Sequence, residues 1–513
     1  SGGGGAVGMA MTVRADADPL PRHAAGLIRR GEAEAGAWRF RLDEDGWRDL
    51  VEALRHDPLP FVTLWADGRD VHALFLDGGE RPLVASVEPY GGRYLGLSPV
   101  RPAAAPFERC MQDLWGFSAM DARDSRPWLD QGLWSATWPL SDRPGPVAWP
   151  PEPPDFRPVP ADHMILGSGP ADGGHHAPGH LRLALDGGGA VGQAEWRLGY
   201  AHRGVAARLS GLDADGAVRL AGRVVAGASV AHQSALCRAI ENATGQAADI
   251  ATTRSRVLLA EIERAATHLL DLSRVARPAG AGALAAECER VREAILERCG
   301  RVGGHRLLMD CVGLGGAGDP AMDDAAASMA VGVADLLESA RDRLVRCRAW
   351  PGLEMRIAGV GVLEQLVART LGVGGVVGRA SGREEDLRRL VPGYRREWLD
   401  SGVRRGGDVA ARIDLRLAEL GSVARLLRAA AGSAPAVARA LPGVGEGVGC
   451  AEGPRGAVWY WVRILDGRVA AAHVCDPALA QASALEHVLV GAQAEDVAMI
   501  LRSFGLSAAG ADL

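Results

Sequence analysis

Apolar residues recur at steps of four and three along "TRSRVLLAEIERAATHLLDLSRVA", where Leu258, Ile262, Ala265, Leu269 and Leu272 make the stripe of a helix buried on one side. Residues 322–349 carry the pattern of a second long helix ending before Pro351, and "GGDVAARIDLRLAELGSVARLLRAAAG" predicts a third from about 407 to 431. Antiparallel packing of such helices makes a bundle. Strand patterns flank it. "HLRLALDGGGAVGQAEWRLGY" reads as a hairpin closed by glycines, and "AVWYWVRILDGRVAAAHV" as returning strands. Nearer the start, "PFVTLWADGRDVHALFLDGG" reads as two strands joined at "ADGRD", and "GWRDLVEALRH" as a short amphipathic helix.

Between these regions, residues 143–160, "RPGPVAWPPEPPDFRPVP", hold eight prolines, which favour extended geometry and cannot continue a helix or a central strand. The expected organisation is therefore α+β: an α/β domain over residues 1–142, a proline-rich linker over 143–160, and a mainly helical domain over 161–513. At 513 residues the chain exceeds one ordinary core.

Composition narrows the class. A hydrophobic content of 48%, a charged content of 23% and a formal charge of −6 are those of a soluble globular protein without basic bias, so nucleic acid is not an expected partner. The start, "SGGGGAVGMAMTVRADADP", lacks the layout of a secretory signal, and no charge-free apolar run is long enough to span a bilayer; Met9 and Met11 are candidate translation starts. The eight cysteines are scattered with no CxxC pair, so no cluster or metal is expected on this chain, and buried free thiols in a reducing compartment are.

Several constellations carry candidate chemistry. His175, His176 and His180 near Asp172 have the composition of a metal site or of a surface loop. His202 and Arg203 before Gly204 either present a basic pair to a buried site or form a strand-to-helix corner. In "RVVAGASVAHQSALCRAIE", Arg223 enters a turn of small residues ahead of a helix bearing His232 and Glu241, which are nine residues apart and do not share a face. Glu261, Glu263, Arg264 and His268 can pair locally or between helices. Arg455, on the turn of "AEGPRGAVWYWV", can anchor an anion or form a structural ion pair.

Taken in order, "LGYAHRGVAARLSG", "RVVAGASVAHQSALCRAIE", "LLAEIERAATHLLDL", "GDVAARIDLRLAEL", "EGPRGAVWYWV" and "VCDPALAQASALEHVLVGAQAEDVAMILRSF" resemble successive segments of one family. It is shared by the large subunit of membrane-bound group 4 nickel–iron hydrogenases and the 49-kDa, quinone-site subunit of respiratory complex I. Upstream, "PFERCMQDLWGFSAMDARDSRPWL" resembles the 30-kDa complex I subunit, which gives residues 1–142 and 161–513 the order of the fused formate hydrogenlyase subunit.

The resemblance implies a site from which key groups are missing. The four thiolate positions that bind nickel and iron in such hydrogenases fall on Val225, Ala228, Ala478 and Gln481, and the proton-passing glutamate falls on Ala206. Soft thiolates select that metal pair, so hydrogen turnover is not expected. The quinone histidine of complex I falls on Pro178 and its tyrosine near Ala214, with His175, His176 or His180 as replacements for the histidine. The remaining candidates to line an acceptor cavity are His202, Arg203, Arg223, His232 and Arg455. The implied setting is the cytoplasmic side of a membrane. There the chain would be a peripheral subunit packed against an iron–sulfur small subunit with a [4Fe-4S] cluster, a ferredoxin-like iron–sulfur subunit, and antiporter-like and quinone-site membrane subunits. Quinone is the possible cofactor, and the chain's role is either electron transfer coupled to ion translocation or a redox-silent coupling or assembly task. No glycine-rich nucleotide fingerprint supports direct NAD binding.

Overall fold

The computed structural model describes residues 23–146, 155–171, 178–315, 320–399, 402–432 and 443–513. In the first part, β1 (Glu32–Ala35), β2 (Arg39–Leu42), β3 (Phe61–Ala66), β4 (Val71–Asp77) and β5 (Arg81–Val87) form one sheet in the order β1-β2-β5-β4-β3, with only the β2–β5 pair parallel. The turn at "ADGRD" has a side-chain cause: Asp67 Oδ1 accepts from the backbone N–H groups of Arg69 and Asp70 at 3.2 and 3.0 Å, which folds β4 back so that Val71 pairs with Ala66. Helices α1 (Ala24–Ile28), α2 (Glu44–Ala53) and α3 (Ala105–Trp115) pack against this sheet, and β6 (Arg93–Leu95) pairs in parallel with β7 (Ser118–Met120) beside α3.

After residue 160, β8 (Met164–Ser168), β9 (His180–Leu185) and β10 (Val191–Arg197) form an antiparallel sheet containing the expected glycine-closed hairpin. Short helices α4 (Val205–Leu209) and α5 (Ala214–Ala221) lead to α6 (Ser229–Thr244). The bundle is built from α7 (Ile250–Ala276), α8 (Gly282–Gly303), α9 (Pro320–Arg348) and, after the short α10 (Pro351–Ile357), α11 (Gln365–Thr370) and α12 (Gly375–Ala380), the long α13 (Val409–Ala430). The stripe on α7 is where expected, but the helix is not buried on one side only. Arg256, Glu261, Glu263, Arg264, His268 and Asp271 are also buried, because α6, α8, α9 and α13 surround it.

A last sheet, β11 (Gly445–Gly453), β12 (Gly456–Leu465) and β13 (Arg468–Cys475), is followed by α14 (Ala478–Leu489), α15 (Val497–Phe504) and α16 (Ala508–Asp512). It lies on α6 with backbone against backbone. Gly445, Gly447 and Gly449 alternate along β11 and face Ala243, Ala239 and Ala235, one helical turn apart; a Cβ at Gly447 would stand 2.2 Å from the Ala239 carbonyl oxygen. The other face of this sheet meets the first. Arg463 bonds Asp67 at 2.8 Å, Thr63 Oγ1 lies 2.8 Å from His473 Nε2, and the Trp65 ring stacks on His473 with centroids 5.2 Å apart. Trp459, Trp461 and Val448 accordingly share a core with the five-stranded sheet. Among the described residues no helix is long and apolar enough to cross a membrane.

Candidate functional site

The small-residue turn 223–228 ends at the N-terminus of α6, whose first N–H groups lack helical partners. Glu263 of α7 supplies them: Oε1 accepts from Val230 N at 2.8 Å and Oε2 from Ala231 N at 3.1 Å. Burial raises this carboxyl to about 7 against the opposing pull of those N–H groups. One turn into α6, His232 is fully buried between Tyr460 of β12 and Asp476. Its Nδ1 lies 2.9 Å from the Tyr460 hydroxyl and its Nε2 3.1 Å from Asp476 Oδ2. Burial raises the Tyr460 phenol well above its ordinary range and keeps it protonated, and the imidazole bridges this hydroxyl and the Asp476 carboxyl group. Asp476 also accepts from Ala478 N at 2.8 Å, and Gln481 Nε2 donates to the Arg455 carbonyl at 3.0 Å. The turn before α6 and the start of α14, more than 240 residues apart in sequence, are thus joined through His232 and Asp476.

Four of the sequence positions lie in the turn before α6 and at the start of α14, and all four are buried. Val225, Ala228, Ala478 and Gln481 are 2%, 8%, 2% and 1% exposed. A methyl, an isopropyl and an amide offer no thiolate, so this donor set does not fit nickel. The neighbouring cavity, touched by Gly227, Glu263 and Thr267, measures about 20 Å³, room for about one water. Among the described residues no group of three or more His, Cys, Asp and Glu side chains is arranged to hold a metal ion.

Arg455 is committed to an ion pair. Its Nη2 and Nε bond Asp271 at 2.8 and 3.2 Å, and the Asp271 carboxyl is held below its usual range by Arg455 and Arg416 despite burial. From there a buried network runs across the bundle. His268 Nε2 lies 2.7 Å from Glu419, which also accepts from Arg379 at 2.5 Å. Arg379 reaches Glu452 at 3.2 Å, and Arg264 joins Glu261 at 3.0 Å, where the Tyr394 hydroxyl also donates at 2.8 Å. The charged face of α7 is therefore an inter-helix lattice in the core. Glu261 and Arg264 pair locally, whereas Glu263 and His268 do not.

The other candidates are dispersed. His175 and His176 lie outside the described residues. Pro178 is exposed, and Ala214 is the buried first residue of α5. His180 borders an open cleft of about 890 Å³ together with Tyr200, Arg126, Arg157, Arg182 and Arg197. Burial, then Arg197 and Arg182, lower the His180 pKa and keep the ring neutral. His202 and Ala206 line a different cavity, of about 900 Å³, between α4, β13 and the first sheet. Gly204, with φ 62°, starts α4 as a left-handed corner. Arg203 spends its guanidinium on the carbonyls of Arg223, Val224 and Ala509, and Arg223 forms a surface pair with Asp310 at 2.6 Å. Tyr460, Asp271 and Tyr200 carry no sequence signal; the Asp-Pro preceding Ala478 marks Asp476 only by its place.

Comparison with known proteins gives this geometry its relatives. Residues 279–441 match the family of the 49-kDa subunit of respiratory-chain NADH dehydrogenase. The chain is 25% identical over 429 residues to formate hydrogenlyase subunit 5 of Escherichia coli, covering 80% of this chain and 75% of that one. It is 26% identical to the carbon monoxide-induced hydrogenase of Rhodospirillum rubrum, over 64% of this chain and 92% of that one. A subunit of the NADH-quinone oxidoreductase of Dehalococcoides mccartyi is 27% identical, over 68% and 98%. A chain of the membrane-bound sulfane sulfur reductase, an archaeal respiratory membrane complex, shares the fold with a TM-score of 0.59 at 22% identity, over 70% of this chain and all of that one. The chain is thus similar in sequence to the 49-kDa NADH dehydrogenase subunit over residues 279–441, and to the formate hydrogenlyase subunit and the carbon monoxide-induced hydrogenase over most of its length.

Proposed function

We propose that this chain is a peripheral subunit of a membrane-bound, complex I-like redox assembly, that it has no nickel–iron centre, and that it helps pass electrons to a quinone or another small acceptor. The carrying observation is where a histidine and a tyrosine stand together. The socket that joins His232 and Asp476 is closed, whereas His180 and Tyr200 border one open cleft of about 890 Å³ together with Pro170. Neutral His180 is suited to share a proton with an acceptor's oxygen, and the arginines around the cleft favour negative charge building on a reduced head group. With this chain on the cytoplasmic side of the membrane, electrons would arrive from a [4Fe-4S] cluster in a neighbouring small subunit, and coupling to ion movement would lie in antiporter-like subunits within the membrane. The domain boundaries at 142 and 160 belong to the same proposal, with a 30-kDa-like part ahead of the linker.

The test uses the assembly purified from its native membrane through a tag on this chain. Iron–sulfur and antiporter-like subunits are expected to co-purify; recovery of the chain alone would overturn the assembly claim. His180→Ala and Tyr200→Phe are expected to lower donor-dependent quinone reduction at least about ten-fold with subunit content unchanged. Unchanged turnover in both would make the chain a redox-silent coupling or assembly subunit, the reading that the packed socket favours.

A further inference from the structure

The cavity bordered by His202 is unlike the cleft at His180. It measures about 900 Å³, within the range of small-molecule sites, and lies where α4 and β13 face the first sheet and α3. Trp65, Trp134, Trp461, Phe107, Met111 and Leu479 give it aromatic and aliphatic walls, and among the described residues no arginine or lysine lines it. An anionic ligand would find no counter-charge there.

The indole N–H groups of Trp65 and Trp461 have no partner among the described residues, while most of the other polar groups on the walls are engaged within the protein. Asp67 is bonded by Arg463, His473 by Thr63, and Ser210 donates to the Ala470 carbonyl. Both oxygens of Asp512 accept backbone N–H groups, from Gly199 and Ala201. His202 differs. Its Nδ1 lies 2.6 Å from the Asp512 carbonyl oxygen, which can only accept, so Nδ1 carries the proton. The ring is neutral, since burial lowers its pKa, and it lies against Trp134 with centroids 5.2 Å apart. Its Nε2 is left as a lone-pair acceptor with no bond to the described residues.

We infer that this cavity is a binding site for an uncharged amphiphile with an apolar body and a hydroxyl head group that donates to His202 Nε2. At His202 a carbonyl-headed molecule of the same shape would set its oxygen against that lone pair and make no bond, leaving it only the indole N–H groups of Trp65 and Trp461. The inference stands on the cavity alone and does not depend on the electron-transfer reading. A phenol and a long-chain alcohol share the required chemistry.

The experiment is titration of the full chain, followed by tryptophan fluorescence, with 4-decylphenol, 1-dodecanol, 4-decylanisole and a decyl-substituted benzoquinone. The hydroxyl compounds are expected to bind about ten-fold more tightly than the anisole and the quinone. A preference for the phenol or for the alcohol identifies which source fits. His202→Phe keeps the contact with Trp134 and is expected to erase the ten-fold difference, while Ala206→Trp, on the short outer helix α4, is expected to abolish binding of all four. Equal affinities in the unsubstituted chain, or binding unaffected by Ala206→Trp, would overturn the inference. So would finding, by photo-crosslinking from position 133 in the intact assembly, that a segment of another subunit fills the cavity.

Discussion

At the scale of single residues, the socket is held by buried hydrogen bonds whose loss has unequal costs. His232→Ala leaves the Tyr460 hydroxyl and the Asp476 carboxylate without their shared partner in the core, and a loss of about 3 kcal/mol is expected in chemical denaturation. Arg223→Ala breaks the pair with Asp310, whose side chains are 41% and 45% exposed, and an exposed bond to the Arg219 carbonyl, and less than about 1 kcal/mol is expected. Glu263 adds a pH signature. Its pKa rises from 4.5 to about 7 on folding, so between those values the unfolded chain binds fewer protons than the folded one. The contribution is full below pH 4.5 and is lost as pH rises to 7, by up to about 3 kcal/mol. Glu263→Gln is expected to remove that decline from the measured stability profile; an unchanged profile would contradict the assignment. Glu419 has the opposite sign. Arg379 and the other cations hold its carboxyl well below the usual range, so its stabilisation is present above the ordinary carboxylate range and is lost in acid.

At the scale of elements, the tightest contact is β11 on α6. The alternating glycines of "GEGVG" and the alanines of "SALCRAIENA" at steps of four let two backbones touch, so Gly447→Val is expected to cost more than about 3 kcal/mol or to prevent folding, read as lost thermal transition. What the sequence makes legible depends on how far apart such partners lie. The stripe Leu258, Ile262, Ala265, Leu269 and Leu272 reveals a helix because its period is local, and the turn at "ADGRD" is legible because Asp67 makes it alone. β11 is not legible, because glycine-rich runs read as loop; only α6, some 200 residues earlier, makes them a strand. The same applies to the site. His232 and Arg455 are visible as residue types in their turns, but their partners Tyr460, Asp476 and Asp271 come from distant elements, and no local spacing brings them together. The burial of α7 on every side is hidden for a related reason, since its charged face pairs with α13 through Glu419 and not with water.

At the scale of the whole molecule, the sheet β11–β13 works on both faces, with α6 on one and Trp65, Thr63 and Asp67 of the first sheet on the other. This layering puts the closed socket at the centre and leaves the two large cavities near the outside, one at His180 and one at His202. On the proposed reading, a chain built this way keeps a framework similar to that of the hydrogenases and NADH dehydrogenases it matches, while Val225, Ala228, Ala478 and Gln481, buried here, stand where a metal would be held. The most direct test of that claim is the nickel content of the native assembly, measured with hydrogen evolution from a low-potential donor. Val225, Ala228, Ala478 and Gln481 as packed core require far less than one nickel per chain and no hydrogen. One nickel per chain together with hydrogen evolution would contradict the closed, metal-free socket.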